Sequence, residues 1–174
     1  IRDSALSSSV CTGGPKFMAL YELESPDAMK TEAYQALRVP PVQTDEDKAM
    51  VGLFTNPLRS LMTEIASAGL PEVPAVEVGG LLVVALQPEP GYEEAFHAWY
   101  NTEHIVFGAR VPGVLRVRRF QSVDGGTPNF AAVWELKDPG VPSTPAFRAA
   151  VETPWTHWTR THYTRVMRGI YRPR

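Results

Sequence analysis

The stretch GGTPNFAAVWELKDPGVPSTPAFRAA (Gly125–Ala150) repeats an earlier one, GGPKFMALYELESPDAMKTEAYQAL (Gly13–Leu37), once Thr127 is treated as an insertion. Pro15 then matches Pro128, and Phe17 matches Phe130. Tyr21-Glu22-Leu23 matches Trp134-Glu135-Leu136, and Pro26 matches Pro139. Further on, Thr31, Ala33 and Tyr34 match Thr144, Ala146 and Phe147. A weaker match sets LFTNPLRSLM (Leu53–Met62) against HYTRVMRGIY (His162–Tyr171). A period near 110 residues is that of a duplicated domain half, not of a solenoid.

Local chemistry assigns the same elements to both copies. Each GG follows an alternating segment and marks a hairpin turn. Lys16–Leu23 and Asn129–Leu136 carry the aromatic and aliphatic residues of strands. Thr31 and Thr144 are N-cap residues, and Pro145 stands at the first helical position, where its missing N–H is harmless. Short helices are expected to about Arg38 and Val151, with RSLMTEIA and RVMRGIYR as closing strands.

The second copy has two further elements ahead of these. GGLLVVALQPE is an apolar run without alternation, the mark of a strand buried on both faces. A helix follows from about Gly91 to Phe107, then a strand over Gly113–Val123. The second half therefore reads β-α-β-β-α-β, the ferredoxin-like order. We expect an α+β fold: residues 1–75 form a first ferredoxin-like repeat lacking its opening strand and helix, and residues 76–174 a complete second one. Truncation, processing or a second subunit would each account for the difference, since the chain begins at Ile1. The uncovered sheet edge predicts association, as a homodimer.

Composition narrows the function. A formal net charge of −2 and no basic stripe disfavour nucleic acid. The longest apolar run, Leu81–Leu86, is far too short to span a bilayer, so no membrane partner is expected. A single cysteine, Cys11, excludes internal disulfides and fits a cytoplasmic setting; beside TGG it reads as an inert thiol. No HExxH or HxxEH pattern and no second cysteine suggest a metal.

FHAWYNTEH, VPGVLRVRRFQSVDGG, FAAVWEL and RGIYR resemble the EthD-like proteins of the dimeric α/β-barrel superfamily. The matching pattern is W-Y-x-x-E-H on the opening helix (Trp99, Tyr100, Glu103, His104), then the Arg118-Arg119-Phe120 run and the YEL-type strands. HIVFGAR departs from it, because the family places a proline soon after the helix histidine. The resemblance implies two ferredoxin-like halves whose sheets face each other in one barrel. Its members include cofactor-independent monooxygenases, cyclases and isomerases, haem enzymes, and proteins without known activity, so it does not define a reaction.

On a wheel of roughly 100° per residue, Phe96, Trp99, Tyr100, Val106 and Phe107 form the apolar stripe. Glu103 falls in its middle, His97 and His104 at its edge, and Ala98 and Asn101 outside. A carboxylate in an apolar stripe needs a partner or a proton. This makes His104 the candidate acid/base and Glu103 its charge partner, although adjacent helical side chains splay apart. The alternative is that Glu103 ties down a loop and His104 is a satisfied histidine near a helix end.

In VLRVRRFQ, alternation puts Val114, Arg116, Arg118 and Phe120 on one face, and Leu115, Val117, Arg119 and Gln121 on the other. Arg118 or Arg119 could stabilise an anion; pairing with Glu135 on the next strand is the structural alternative. All four histidines and all four tryptophans lie in the second half, which favours one aromatic-lined pocket there. The leading expectation is a cofactor-independent enzyme using acid/base chemistry on a small aromatic or polyketide-like compound. His104 and Glu103 would be catalytic, and His97, Trp99, Tyr100, Arg118, Arg119 and Trp134 would bind substrate. A non-catalytic binding protein on the same scaffold is the rival.

Overall fold

A computed structural model describes residues 2–12, 15–40, 42–55 and 58–173, with side chains from residue 15 onward. Gly13 and Gly14 of the first hairpin turn and the side chain of Cys11 lie outside the described residues. In chain order the main elements are β1 (Arg2–Thr12), β2 (Phe17–Glu22), α1 (Glu32–Ala36), α2 (Asp45–Gly52), β3 (Met62–Gly69) and β4 (Gly80–Pro88). They are followed by α3 (Glu93–Trp99), a π turn (Tyr100–His104), α4 (Ile105–Gly108), β5 (Val114–Ser122) and β6 (Phe130–Leu136). The chain closes with α5 (Pro145–Val151), α6 (Pro154–Thr159) and β7 (Tyr163–Pro173).

The repeat is visible in local chemistry. Thr31 accepts a hydrogen bond from the Tyr34 N–H, and Thr144 accepts one from the Phe147 N–H. Both caps satisfy a backbone donor that a helix start would otherwise leave open. The copies differ in burial: Tyr21 is exposed, whereas its counterpart Trp134 is sealed in the core.

All strands join one antiparallel sheet in the order β2-β1-β7-β4-β6-β5-β3. This corrects the expectation of two facing sheets closed into a barrel. The first-half strands do not build a sheet of their own. The β1–β2 hairpin extends the β7 edge, and β3 extends the β5 edge. Each supplies partners for backbone groups that an edge strand leaves open. Among the described residues no backbone ladder joins β2 to β3, so the sheet is open.

It is nevertheless strongly curled. Four strands separate β2 from β5, which in a flat sheet would set them roughly 24 Å apart at about 4.8 Å per strand. Yet Arg118 of β5 reaches Glu22 at the end of β2 at 2.6 Å. The concave face thus encloses an ionic cluster, in which Glu135 accepts from Arg116 at 2.9 and 3.1 Å and pairs with Arg118 at 3.0 Å. Register shifts in β5 between Val114 and Arg116, so strict alternation fails there. Val114 joins Val117 in the helix-side core, while Arg116 and Arg118 face the other way.

β4 supplies both cores, as its unbroken apolar run requires. Leu82 and Leu86 pack under the helices with Phe96, Trp99, Tyr100 and Trp134. Leu81, Val83 and Ala85 pack on the concave face with Val133, Met167 and Tyr171.

Candidate functional site

The long second-half helix is not a uniform α-helix. Between α3 and α4 the five residues Tyr100–His104 form a π turn, closed by the Ile105 N–H donating to the Tyr100 carbonyl. A π turn inserts one residue into the helical repeat and advances every later side chain by roughly 100°. The wheel drawn for a regular helix is therefore displaced by one position beyond Tyr100. His104 takes the inward place computed for Glu103, and Gly108 takes the place of Phe107. Phe107 is 40% exposed. Gly108 is buried against the Trp134 ring so closely that a Cβ would stand 2.3 Å from its Cζ3.

Turned inward, the His104 imidazole lies among three rings. Trp99 is 4.4 Å away between centroids, Tyr100 5.0 Å and Trp134 5.7 Å, the last two edge-on. Nδ1 of His104 is enclosed and has no hydrogen-bond partner. Burial, together with the positive charges of Arg160 and Arg119, depresses the His104 pKa to about 3, with Glu152 opposing. The ring is accordingly neutral at neutral pH.

Beside it opens a cavity of about 370 Å³ between the helices and the sheet. Its floor is Leu82, Val84 and Leu86 of β4, and its walls are Trp99, Tyr100, His104, Trp134, Phe147 and Tyr163. This volume suits a compact small molecule. The rim is charged, with Arg148, Glu152, Arg160, Arg165 and Arg168. Glu152 is engaged by Arg160 through two bonds of 2.6 Å, which hold its carboxyl below the usual range.

Glu103 does not pair with His104. It accepts a short hydrogen bond from the Thr153 hydroxyl. Thr153 also caps α6, accepting from the Thr156 N–H at 3.0 Å, and Thr156 accepts from the Trp99 indole N–H at 3.0 Å. Glu103, Thr153, Thr156 and Trp99 form one chain of contacts that fastens α6 to the helix and fixes the Trp99 wall. Glu103 acts here as a positioning residue.

Arg119 is 1% exposed, and no carboxylate contacts it among the described residues. Its guanidinium donates to Asn101 Oδ1 at 2.5 Å, lies 3.4 Å from His97 Nδ1, and stacks on the Tyr100 ring at 4.1 Å. Burial lowers the Arg119 pKa to about 10. Burial raises the Tyr100 phenol beyond its ordinary value, with Arg119 acting against this. Burial first, then Arg119, lowers His97.

The structure thus gathers Trp99, Tyr100, His104 and Trp134 around one cavity. It places His97 and Arg119 together on the far side of Tyr100, and Arg118 on the opposite face of the sheet in the Glu135 cluster. Sequence reasoning did not single out Phe147, Arg148, Arg160, Tyr163, Arg165 or Arg168 as wall or rim residues. For Arg165 and Arg168 a signal existed: both lie on the RVMRGIYR strand beside the buried run of β4. A second cavity, of about 520 Å³ in the first half, is lined by Glu22, Glu24, Tyr34 and small or apolar residues and contains no histidine.

Among the described residues, no three His, Cys, Asp or Glu side chains are grouped to hold a metal, and no helix is long and apolar enough to cross a membrane. No protein-family model and no curated protein matches the chain. The EthD-like resemblance therefore gains no support from relatives, and the dimeric α/β barrel it implies is not what the open sheet forms.

Proposed function

We propose that the protein is a cofactor-independent enzyme that moves a proton on a small aromatic or polyketide-like compound held beside His104. One observation carries this reading: a neutral imidazole, whose enclosed Nδ1 has no hydrogen-bond partner among the described residues, stands in the wall of an aromatic cavity of ligand size. A buried ring nitrogen left unsatisfied costs free energy, and a turn of the ring that brings a nitrogen to a ligand in the cavity would relieve that cost. In the step proposed, a C–H bond next to a carbonyl breaks and the proton goes to the imidazole. The electron pair remains on the substrate as an enolate. Burial is the main obstacle to the imidazolium; the field of Arg160 and Arg119 adds to that obstacle but favours the enolate, and the new ion pair stabilises itself by its own attraction.

The test is hydrogen–deuterium exchange at the α-carbon of aryl ketones in D2O, followed by proton NMR. The wild type should accelerate exchange above buffer, and His104→Gln should return it to the buffer rate. Equal exchange in both proteins would remove His104 from the chemistry.

A binding protein without catalysis is the second reading. It is favoured by Glu103, which is spent on Thr153 and leaves His104 without a carboxylate to orient it. Ligand binding with no exchange in the wild type selects it. We further propose a cytoplasmic homodimer. Its support is the single cysteine and the exposed Phe17, Tyr21 and Ile65 on the two edge strands. Sedimentation at a single-chain mass would reject the dimer.

A further inference from the structure

We infer that the cavity beside His104 takes an aromatic anion, with its rings against the wall formed by Trp99, Trp134 and Tyr163 and its carboxylate or ionised oxygen at Arg148 and Arg165. This rests on the small-molecule reading above and adds the charge of the ligand to it.

Charge is the first argument. The chain as a whole is negative, at −2, yet the charged residues of this cavity are four arginines and one glutamate. Arg160 occupies that glutamate with both of its terminal nitrogens. Among the described residues, no further carboxylate lines the cavity to answer Arg148 and Arg165. Arg165 and Arg168, three residues apart on β7, are near enough that the charge of Arg165 adds to burial in lowering the Arg168 pKa. Like charges gathered at the mouth of an apolar cavity repel one another, and a bound anion relieves that repulsion.

Behind the aromatic wall, Arg119 contributes to the same field. It is enclosed, contacts no carboxylate among the described residues, and acts electrostatically on both Tyr100 and His104. The floor, by contrast, is purely apolar: Leu82, Val84 and Leu86. A ligand matched to these surfaces is flat and apolar at one end and anionic at the other. Guanidinium groups hold a carboxylate through paired, charge-assisted hydrogen bonds.

The test compares 2-naphthoate with its neutral isostere 2-naphthamide by calorimetry, with tryptophan quenching as a second readout. The acid should bind about tenfold or more tightly than the amide, the scale of one charged hydrogen bond. That preference should shrink as salt screens the partly exposed arginines. Arg148→Gln and Arg165→Gln should each reduce acid binding several-fold more than amide binding. Both residues are exposed, so both variants should fold, as circular dichroism will verify. Equal affinity for acid and amide overturns this inference and leaves the small-molecule reading standing. Failure of both probes to bind, or binding that survives Trp134→Phe with its quenching unaltered, overturns the two together.

Discussion

The buried neutral His104 makes folding stability depend on pH in a way that can be isolated. Its folded pKa is about 3 against an ordinary value of 6.5. Above pH 6.5 neither the folded nor the unfolded chain protonates this ring, and it contributes no pH dependence. Below 6.5 the unfolded chain binds a proton that the folded chain refuses. Stability must then fall as pH falls, until the folded pKa is reached near 3. The slope is about 1.4 kcal/mol per pH unit inside that window, so a drop from pH 6.5 to 5 removes about 2 kcal/mol. Carboxylates and the other histidines titrate in the same range, so the wild type alone is uninformative. The measurement is urea unfolding of the wild type and of His104→Gln at pH 7.5, 6.5, 5.5 and 5. The glutamine cannot gain charge, and His97 and the carboxylates are common to both proteins. The difference in stability between the two should be flat from pH 7.5 to 6.5 and then shift by about 2 kcal/mol against the wild type by pH 5. A difference constant across the series would refute the reasoning. It would mean that His104 protonates in the folded protein near its ordinary pKa, and that the ring is neither enclosed nor held under a positive field.

Two further substitutions probe the frame of the site. Gly108→Ala places a methyl 2.3 Å from Cζ3 of Trp134, so either the helix or the indole must move. The expected loss is about 1–3 kcal/mol in chemical denaturation, and an unchanged midpoint would contradict the close approach. Glu135→Gln leaves Arg116 and Arg118 facing each other on the concave face without their shared carboxylate. The expected loss is about 3 kcal/mol or more, read as a fall in thermal midpoint that added salt does not restore.

How much of this was legible in the sequence depends on which interactions decide each feature. Strand and helix positions rest on local chemistry, and there the reading was close. Lys16–Leu23 became Phe17–Glu22, Asn129–Leu136 became Phe130–Leu136, and both threonine caps formed as expected. The helix α2 was not identified. Its capping box, Thr44 with Asp47, is present in the sequence, but every one of its residues is at the surface and no apolar stripe marks it. Sheet closure is a different kind of property. Alternation tells which face a residue occupies but not which strand lies beside it. The duplication suggested two equal sheets, yet the first-half strands found partners on the two edges of the second-half sheet. Those edges carry open backbone groups that β1 and β3 pair with, a feature that no alternation pattern within a strand records.

The orientations on the opening helix were misread for a local reason that is more instructive. Glu103 and His104 were both identified, with their orientations interchanged. A regular wheel puts Glu103 inward; the π turn at Tyr100–His104 puts His104 inward and sends Glu103 sideways to Thr153. The sequence holds a trace of this. With regular spacing, Phe107 would face the sheet where Trp134 already fills the space, and Gly108, the one residue small enough to meet that ring, would face away. Inserting one residue's worth of turn resolves the conflict, since it brings the glycine under the indole and releases the phenylalanine to the surface. It also exchanges a carboxylate for an imidazole at the cavity wall. An inward Glu103 would have added a second carboxylate to the cavity and reduced, without cancelling, the positive excess of its four arginines. With His104 there instead, the wall is neutral and the rim keeps its positive excess. The irregularity in the helix therefore decides which side chain, a neutral imidazole and not a carboxylate, faces the cavity on which the anion proposal rests.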